Sequence, residues 1–159
     1  MNWALLAISV AMAELPDIDF LFGFLTNEPN KYHHGFTHSF MFVIVIGLLV
    51  AVVTSWRNRS QFGRHALLFT GAGISHIVLD SLAKDTTPPY GAPIFWPFTD
   101  KFYISPVIVF SDMHRASDSA RFFPSMFTLH NLMTVTREVL ILLPLIVLIY
   151  VLNKRRRAA

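Results

Sequence analysis

The sequence predicts an all-α, polytopic transmembrane bundle of about four helices, with a long proline- and aromatic-rich interfacial loop before the last of them. Of its 159 residues, 53% are apolar and only 14% charged, whereas roughly a quarter of residues are charged in an ordinary soluble domain. Mean hydropathy is +0.49. The apolar residues also fall into separate runs: Trp3 to Ala13, Phe40 to Trp56, His65 to Leu82, and Val139 to Leu152 with a helical lead-in from Leu129. A few crossings of a hydrocarbon core about 30 Å thick use most of such a chain. Residues 1–159 therefore read as one membrane-embedded domain.

The first run is short for a span. Either it dips into the membrane and returns at Pro16, or the chain begins inside a helix. Ala11-Met12-Ala13 imitates a signal-peptidase site, but no Lys or Arg precedes the run and an acidic motif follows at once, which favours a helix. Phe40 to Trp56 carries no charge and approaches the lower limit of about 17 residues for a transmembrane helix. The third run holds Gly71, Gly73 and Ser75, small residues that permit close helix packing in lipid. Pro144 kinks the Leu- and Ile-rich fourth run, a break that neighbouring helices can accommodate. Between the third and fourth runs, Ala83 to Thr128 contains Pro88, Pro89, Pro93, Pro97, Pro106 and Pro124, which exclude a long continuous helix. Tyr90, Phe95, Trp96, Phe98, Phe102 and Tyr103 suit a segment lying at the membrane surface.

Charge sets the orientation. The net charge of +3 resides in two short basic runs beside apolar segments, Arg57, Arg59 and Arg64 and then Lys154 to Arg157. That pattern orients a membrane protein and is not a nucleic-acid-binding face. Both runs are expected in the cytoplasm, separated by two spans, which makes the chain integral to the cytoplasmic (inner) membrane with a cytoplasmic C-terminus and membrane lipids as its partners. Every Asp and Glu then lies toward the opposite, non-cytoplasmic end. There is no cysteine, so thiol nucleophiles and thiolate ligands are excluded.

Four elements bring ionisable groups to that end, the fourth being the last run, which Glu138 begins. Asp17 and Asp19 flank Ile18 just after the Pro16 break; two carboxylates so spaced offer hard oxygens to a divalent cation, although a single Asp there would be an ordinary helix cap. His33, His34 and His38 precede the second run in Tyr32-His33-His34-Gly35-Phe36-Thr37-His38-Ser39. Imidazole is the commonest transition-metal ligand, and such a cluster also serves as a proton-sensing patch. Gly35 permits a tight turn, and Thr37 or Ser39 is placed to cap the helix. His76 and Asp80 share one face of the third run, one turn apart; the alternative is a hydrogen bond that fixes the helix. A charge at mid-membrane costs about 2.5–3.5 kcal/mol on insertion scales, so such residues rarely occur without a role.

The six nitrogen and oxygen ligands Asp17, Asp19, His33, His38, His76 and Asp80 exceed the needs of one tetrahedral zinc. They suit one octahedral ion or two ions about 3.5–4 Å apart, drawn from Zn, Mn, Fe or Mg, an arrangement that generates a water nucleophile and polarises a scissile bond. Hydrolysis at the non-cytoplasmic face, with a phosphoester or lipid head group as substrate, is the expected chemistry; a non-enzymatic metal-binding or structural membrane protein is the alternative.

These motifs resemble a family of small bacterial and archaeal membrane proteins described as membrane-bound metal-dependent hydrolases, the YdjM-like group. The resemblance rests on Leu15-Pro16-Asp17-Ile18-Asp19, His33-His34-Gly35-Phe36-Thr37-His38-Ser39, Ser75-His76 with Asp80, and Tyr90-Gly91 with Pro93 and Trp96-Pro97-Phe98. It implies a helical membrane fold and a metal site of Asp17, Asp19, His33, His38, His76 and Asp80. Asp19, His34, Asp80 and Glu138 are the candidates for the catalytic step, Glu138 because it begins the fourth span on the site's side. Members often have Arg where His34 stands, and imidazole lacks its bidentate fork. They also often have a longer first helix. The stretch Asp85-Thr86-Thr87-Pro88-Pro89-Tyr90-Gly91 replaces a shorter connection and brings Asp85 within approach of the site. His114, Arg115, His130, Asn131 and Arg137 look like features of a subgroup.

Overall fold

A computed structural model describes residues 2–86 and 88–158; Thr87, in the stretch replacing a shorter connection, lies outside the described residues. Six α-helices follow in order: α1 (Trp3–Ala13), α2 (Asp19–Leu25), α3 (Phe40–Thr54), α4 (Phe62–Ser81), α5 (Ser119–Met126) and α6 (Leu129–Ala158). Among the described residues there is no strand, only isolated bridges at Ala83 with Phe110 and at Ala92 with Tyr103.

Asn2 starts α1 by accepting from the Ala4 and Leu5 amides. Pro16 then diverts the chain through a 3₁₀ turn over Leu15–Ile18, and the helix resumes as α2, an element not expected from the sequence. Gly23 makes the return from α2 possible: a Cβ there would lie 2.3 Å from the Pro29 carbonyl oxygen. The chain next passes through 3₁₀ turns at Pro29–Tyr32 and Phe36–His38. Ser39 Oγ accepts from the Phe42 amide and opens α3, so the cap falls to Ser39 and leaves Thr37 for another partner.

α3 and α4 form an antiparallel hairpin, with α1 against α4. Met12, Ala51 and Phe69 centre its core, flanked by Leu5, Ile8, Ile46 and Val50. Added Cβ atoms would meet Thr70 at Gly47 and Val43 at Gly73, so glycine sets the interhelical distance at both places. Gly71, by contrast, faces open space. At the hairpin's far end His65 Nδ1 lies 3.0 Å from Thr54 Oγ1 and 2.9 Å from Ser55 Oγ, a link that holds the turn.

The expectation of about four spans is met only in part. Among the described helices only α6, over Leu129–Arg156, is long and apolar enough to cross a membrane by itself. α1 has 11 residues and α3 has 15, or about 22 Å for α3 at 1.5 Å per residue, short of a hydrocarbon core about 30 Å thick. α4 has 20 residues, but Arg64, His65, His76 and Asp80 lower its hydropathy. The loop before α6 is largely non-helical as expected, except that Asp118 caps the short α5 through the Arg121 amide. This loop folds over the end of the hairpin where α3 begins, the Phe40 amide donating to the Ile94 carbonyl and the Lys84 amide to the Phe110 carbonyl.

Candidate metal centre

The Pro16 break places Asp17 and Asp19 on the inner side of a tight 3₁₀-to-helix corner, and the two turns before α3 lay three histidines across them. Asp19 is 2% exposed and both of its oxygens are engaged. Oδ1 lies 3.3 Å from His33 Nδ1. Oδ2 accepts from Thr37 Oγ1 at 3.2 Å and from the Gly35 amide at 3.4 Å, and lies 3.1 Å from His38 Nδ1. Asp19 thus orients two imidazoles and the loop that carries them, as outer carboxylates do for metal-binding histidines.

Asp17 is arranged differently. Its Oδ1 lies 3.8 Å from His33 Nδ1, 3.5 Å from His38 Nε2 and 3.7 Å from His76 Nε2. Three imidazole nitrogens, two from the loop before α3 and one from α4, converge on one carboxylate oxygen, each too distant for a good hydrogen bond. His38 is fully buried and its Nε2 has no hydrogen-bond partner. Ligands held about 2.0–2.1 Å from a tetrahedral ion stand about 3.4 Å apart, close to these separations. Asp17 with His38 and His76, and Asp17 with Asp19 and His33, are groupings able to hold a metal ion.

Electrostatics agree with this geometry. Burial works against charge on both carboxylates, but the neighbouring histidines outweigh it and hold Asp17 and Asp19 below the usual range. Burial pushes His33 down to about 4, with Asp19 offsetting it only in part. For His38 burial is overcome by Asp17 and Asp19, which raise it to about 9. One imidazolium therefore sits between two carboxylates, with a neutral imidazole beside it.

Not every residue singled out in the sequence shares this point. Asp80 is drawn to the same cavity but faces His34, whose Nε2 lies 3.1 Å from Asp80 Oδ2 without hydrogen-bond alignment; His76, one turn away, instead reaches toward Asp17. His34 Nδ1 is 3.7 Å from Asp85 Oδ2, which brings Asp85 to the site. His34 has φ +61°, a left-handed conformation costing a non-glycine residue about 1–2 kcal/mol. Glu138 lies in the wall of the cavity, an open space of about 330 Å³ that also borders Asp17, His33, His34, His76 and Asp80.

Two features were not legible as site residues. Arg115 lines the cavity, although it stands in a loop without a motif. Phe20 stacks on His33 at 4.1 Å between ring centroids; it lies in α2, an element the sequence does not predict. A separate group, Asp112 with His114 and His130, sits where α6 begins. There the two rings stack at 3.8 Å, and His130 Nε2 lies 3.0 Å from the Asp112 backbone oxygen, an arrangement that ties the loop to the helix.

A model of the YdjM inner membrane protein family matches residues 1–157. The inner membrane protein YbcI of Escherichia coli (strain K12) is 36% identical over 104 residues, which cover 64% of this chain and 58% of that protein's length. No solved structure matches the chain. With a family match over nearly every residue, including each of the His and Asp motifs, the chain belongs to the YdjM inner membrane protein family.

Proposed function

We propose that this protein is a membrane-bound, metal-dependent hydrolase acting on a phosphoester- or lipid-type substrate at the non-cytoplasmic face of the inner membrane. The observation that carries the reading is the convergence of His33, His38 and His76 on Asp17 Oδ1 beside an open cavity. Asp17, His33, His38 and His76 would hold one or two divalent ions, Zn, Mn, Fe or Mg, with Asp19 behind the histidines, where it enters the set only by giving up a hydrogen bond, and Asp80 completing the set from the cavity side. A bound ion supplies Lewis acidity and an acidified water.

The protein's own groups do the remainder. Asp19 fixes the tautomer and tilt of His33 and His38. His34 Nε2, facing Asp80 across 3.1 Å, is placed to take and return a proton. Glu138 closes the cavity from α6, and the open side admits substrate and water.

Charge and length support the proposed placement in the membrane. Arg64 and Asp80 are separated by about 24 Å along α4, and Glu138 and Arg155 by about 25 Å along α6. Both basic ends therefore lie nearly one hydrocarbon thickness from the site, which supports a cytoplasmic C-terminus and an outward site. Leu48, Leu49, Val52, Val53 and Leu67 are exposed on the hairpin; lipid is the solvent that suits them, and α1, α3 and α4 are read as membrane-embedded alongside α6.

Purified protein supplied with zinc or manganese is expected to hydrolyse phosphoesters in a chelator-sensitive manner, with Asp80→Asn lowering kcat at least about 100-fold. A non-enzymatic reading is favoured by the complete engagement of buried Asp19 by its neighbours, which makes the cluster a clasp between chain segments. That reading predicts that metal raises the melting temperature by mass action while esters, phosphoesters and amides all remain intact.

A further inference from the structure

We propose that Arg115 forms an anion seat in the wall of the cavity and grips a phosphoryl oxygen of the ligand that meets the His and Asp cluster. The proposal deepens the hydrolase reading and rests on it for the identity of the site.

Arg115 is half-buried, and its guanidinium lies 4.9 Å over the Phe20 ring. It shares the cavity with Asp17, His33, His34, His76 and Asp80. Asp17, Asp80, Asp19 and Asp85 all act on its charge, yet among the described residues it makes no ion pair and donates no hydrogen bond. A carboxylate is the usual two-pronged partner of a guanidinium. Here the aromatic shelf holds it, and its planar fork is uncommitted.

The backbone on either side of Arg115 is pinned. Asn131, 1% exposed, accepts from the His114 amide at 2.8 Å and donates to the His114 carbonyl at 2.8 Å. The Ala116 amide donates to Ser125 Oγ at 2.8 Å, and its carbonyl accepts from Asn30 Nδ2 at 3.2 Å. Three separate elements therefore fix the loop at the residues flanking Arg115. The other cavity cations are poorer candidates: Lys31 is held by Glu28, and Lys84 is exposed. Phe20 stacks on His33 as well, which ties the seat to the metal cluster through one ring. A phosphoryl group matches both sides, with oxygens enough for the guanidinium fork while others face the cluster. A free phosphate and a lipid phosphate head group share this chemistry.

The test titrates manganese-loaded, detergent-purified protein with inorganic phosphate and, separately, with short-chain phosphatidic acid by calorimetry, and measures metal content in the same samples. Arg115→Gln is expected to weaken binding at least about tenfold, with unchanged metal content and helical circular dichroism, and Arg115→Lys to recover only part, because lysine keeps the charge and loses the fork. A lower dissociation constant for phosphatidic acid than for phosphate identifies a lipid head group, and the reverse a soluble phosphate; either supports the seat. Wild-type phosphate affinity in Arg115→Gln, or a loss of metal that accompanies the loss of binding, overturns it. Arg115-dependent binding without turnover of any phosphoester retains the seat and removes the hydrolase reading.

Discussion

For single residues, the proposed metal chemistry turns on one proton. His38 is raised to about 9 because Asp17 and Asp19 flank it, whereas His33 is lowered to about 4 by burial. Between those values the metal-free site carries its proton on His38 and not on His33. A metal must displace that proton to reach Nε2. Metal addition in weak buffer at pH 7.5 is therefore expected to release about one proton from His38, and apparent affinity to rise about tenfold per pH unit until about pH 9. A calorimetric titration in buffers of different ionisation enthalpy measures it; affinity flat between pH 6.5 and 8.5 would contradict this assignment. The sequence made His33, His38, His76, Asp17 and Asp19 legible because these residue types rarely lie beside apolar runs without a role. It did not show that Asp80 would face His34, since helical spacing says which residues share a face but not what stands opposite. Arg115 was visible only as a polar loop residue, because its significance lies in Phe20 and Asn131, remote in sequence.

At the scale of elements, corners between helices build the site more than the helices do. Pro16, a motif legible in sequence, stops α1 and turns Asp17 and Asp19 inward. α2 was not legible: a seven-residue helix gives too short a periodic signal to separate from the run before it. Its exit depends on Gly23, which leaves room for the Pro29 carbonyl at a position where a Cβ would lie 2.3 Å away. Gly23→Ala is expected to displace the Pro29–Tyr32 turn and with it His33, lowering stability by about 1–3 kcal/mol and reducing metal content. Gly71→Ala, facing open space, serves as the control and is expected to leave both unchanged. Thermal unfolding in detergent together with metal analysis measures the pair; equal behaviour of the two variants would show that the corner does not position the site.

For the whole molecule, four apolar runs were legible, but their equivalence was not. Among the described helices only α6 is long and apolar enough to cross a membrane by itself, whereas α1, α3 and α4 bury small residues and core side chains against one another. Composition reports that a chain is apolar without saying whether each run is complete as a span. The charge distribution nonetheless sets a testable orientation. A reporter fused after Arg157 is expected to be active only in its cytoplasmic form, and activity in its periplasmic form would invert the placement of the site.

The proposed metal centre of Asp17, His33, His38 and His76 is open to a direct count of bound metal. Elemental analysis of the detergent-purified protein is expected to find one or two equivalents of a divalent transition metal or magnesium in the wild type. His38→Ala and His76→Ala, each checked for retained helicity and monodispersity, are expected to contain almost none. Wild-type metal content in both variants, or a folded wild-type protein that takes up no divalent metal, would contradict it.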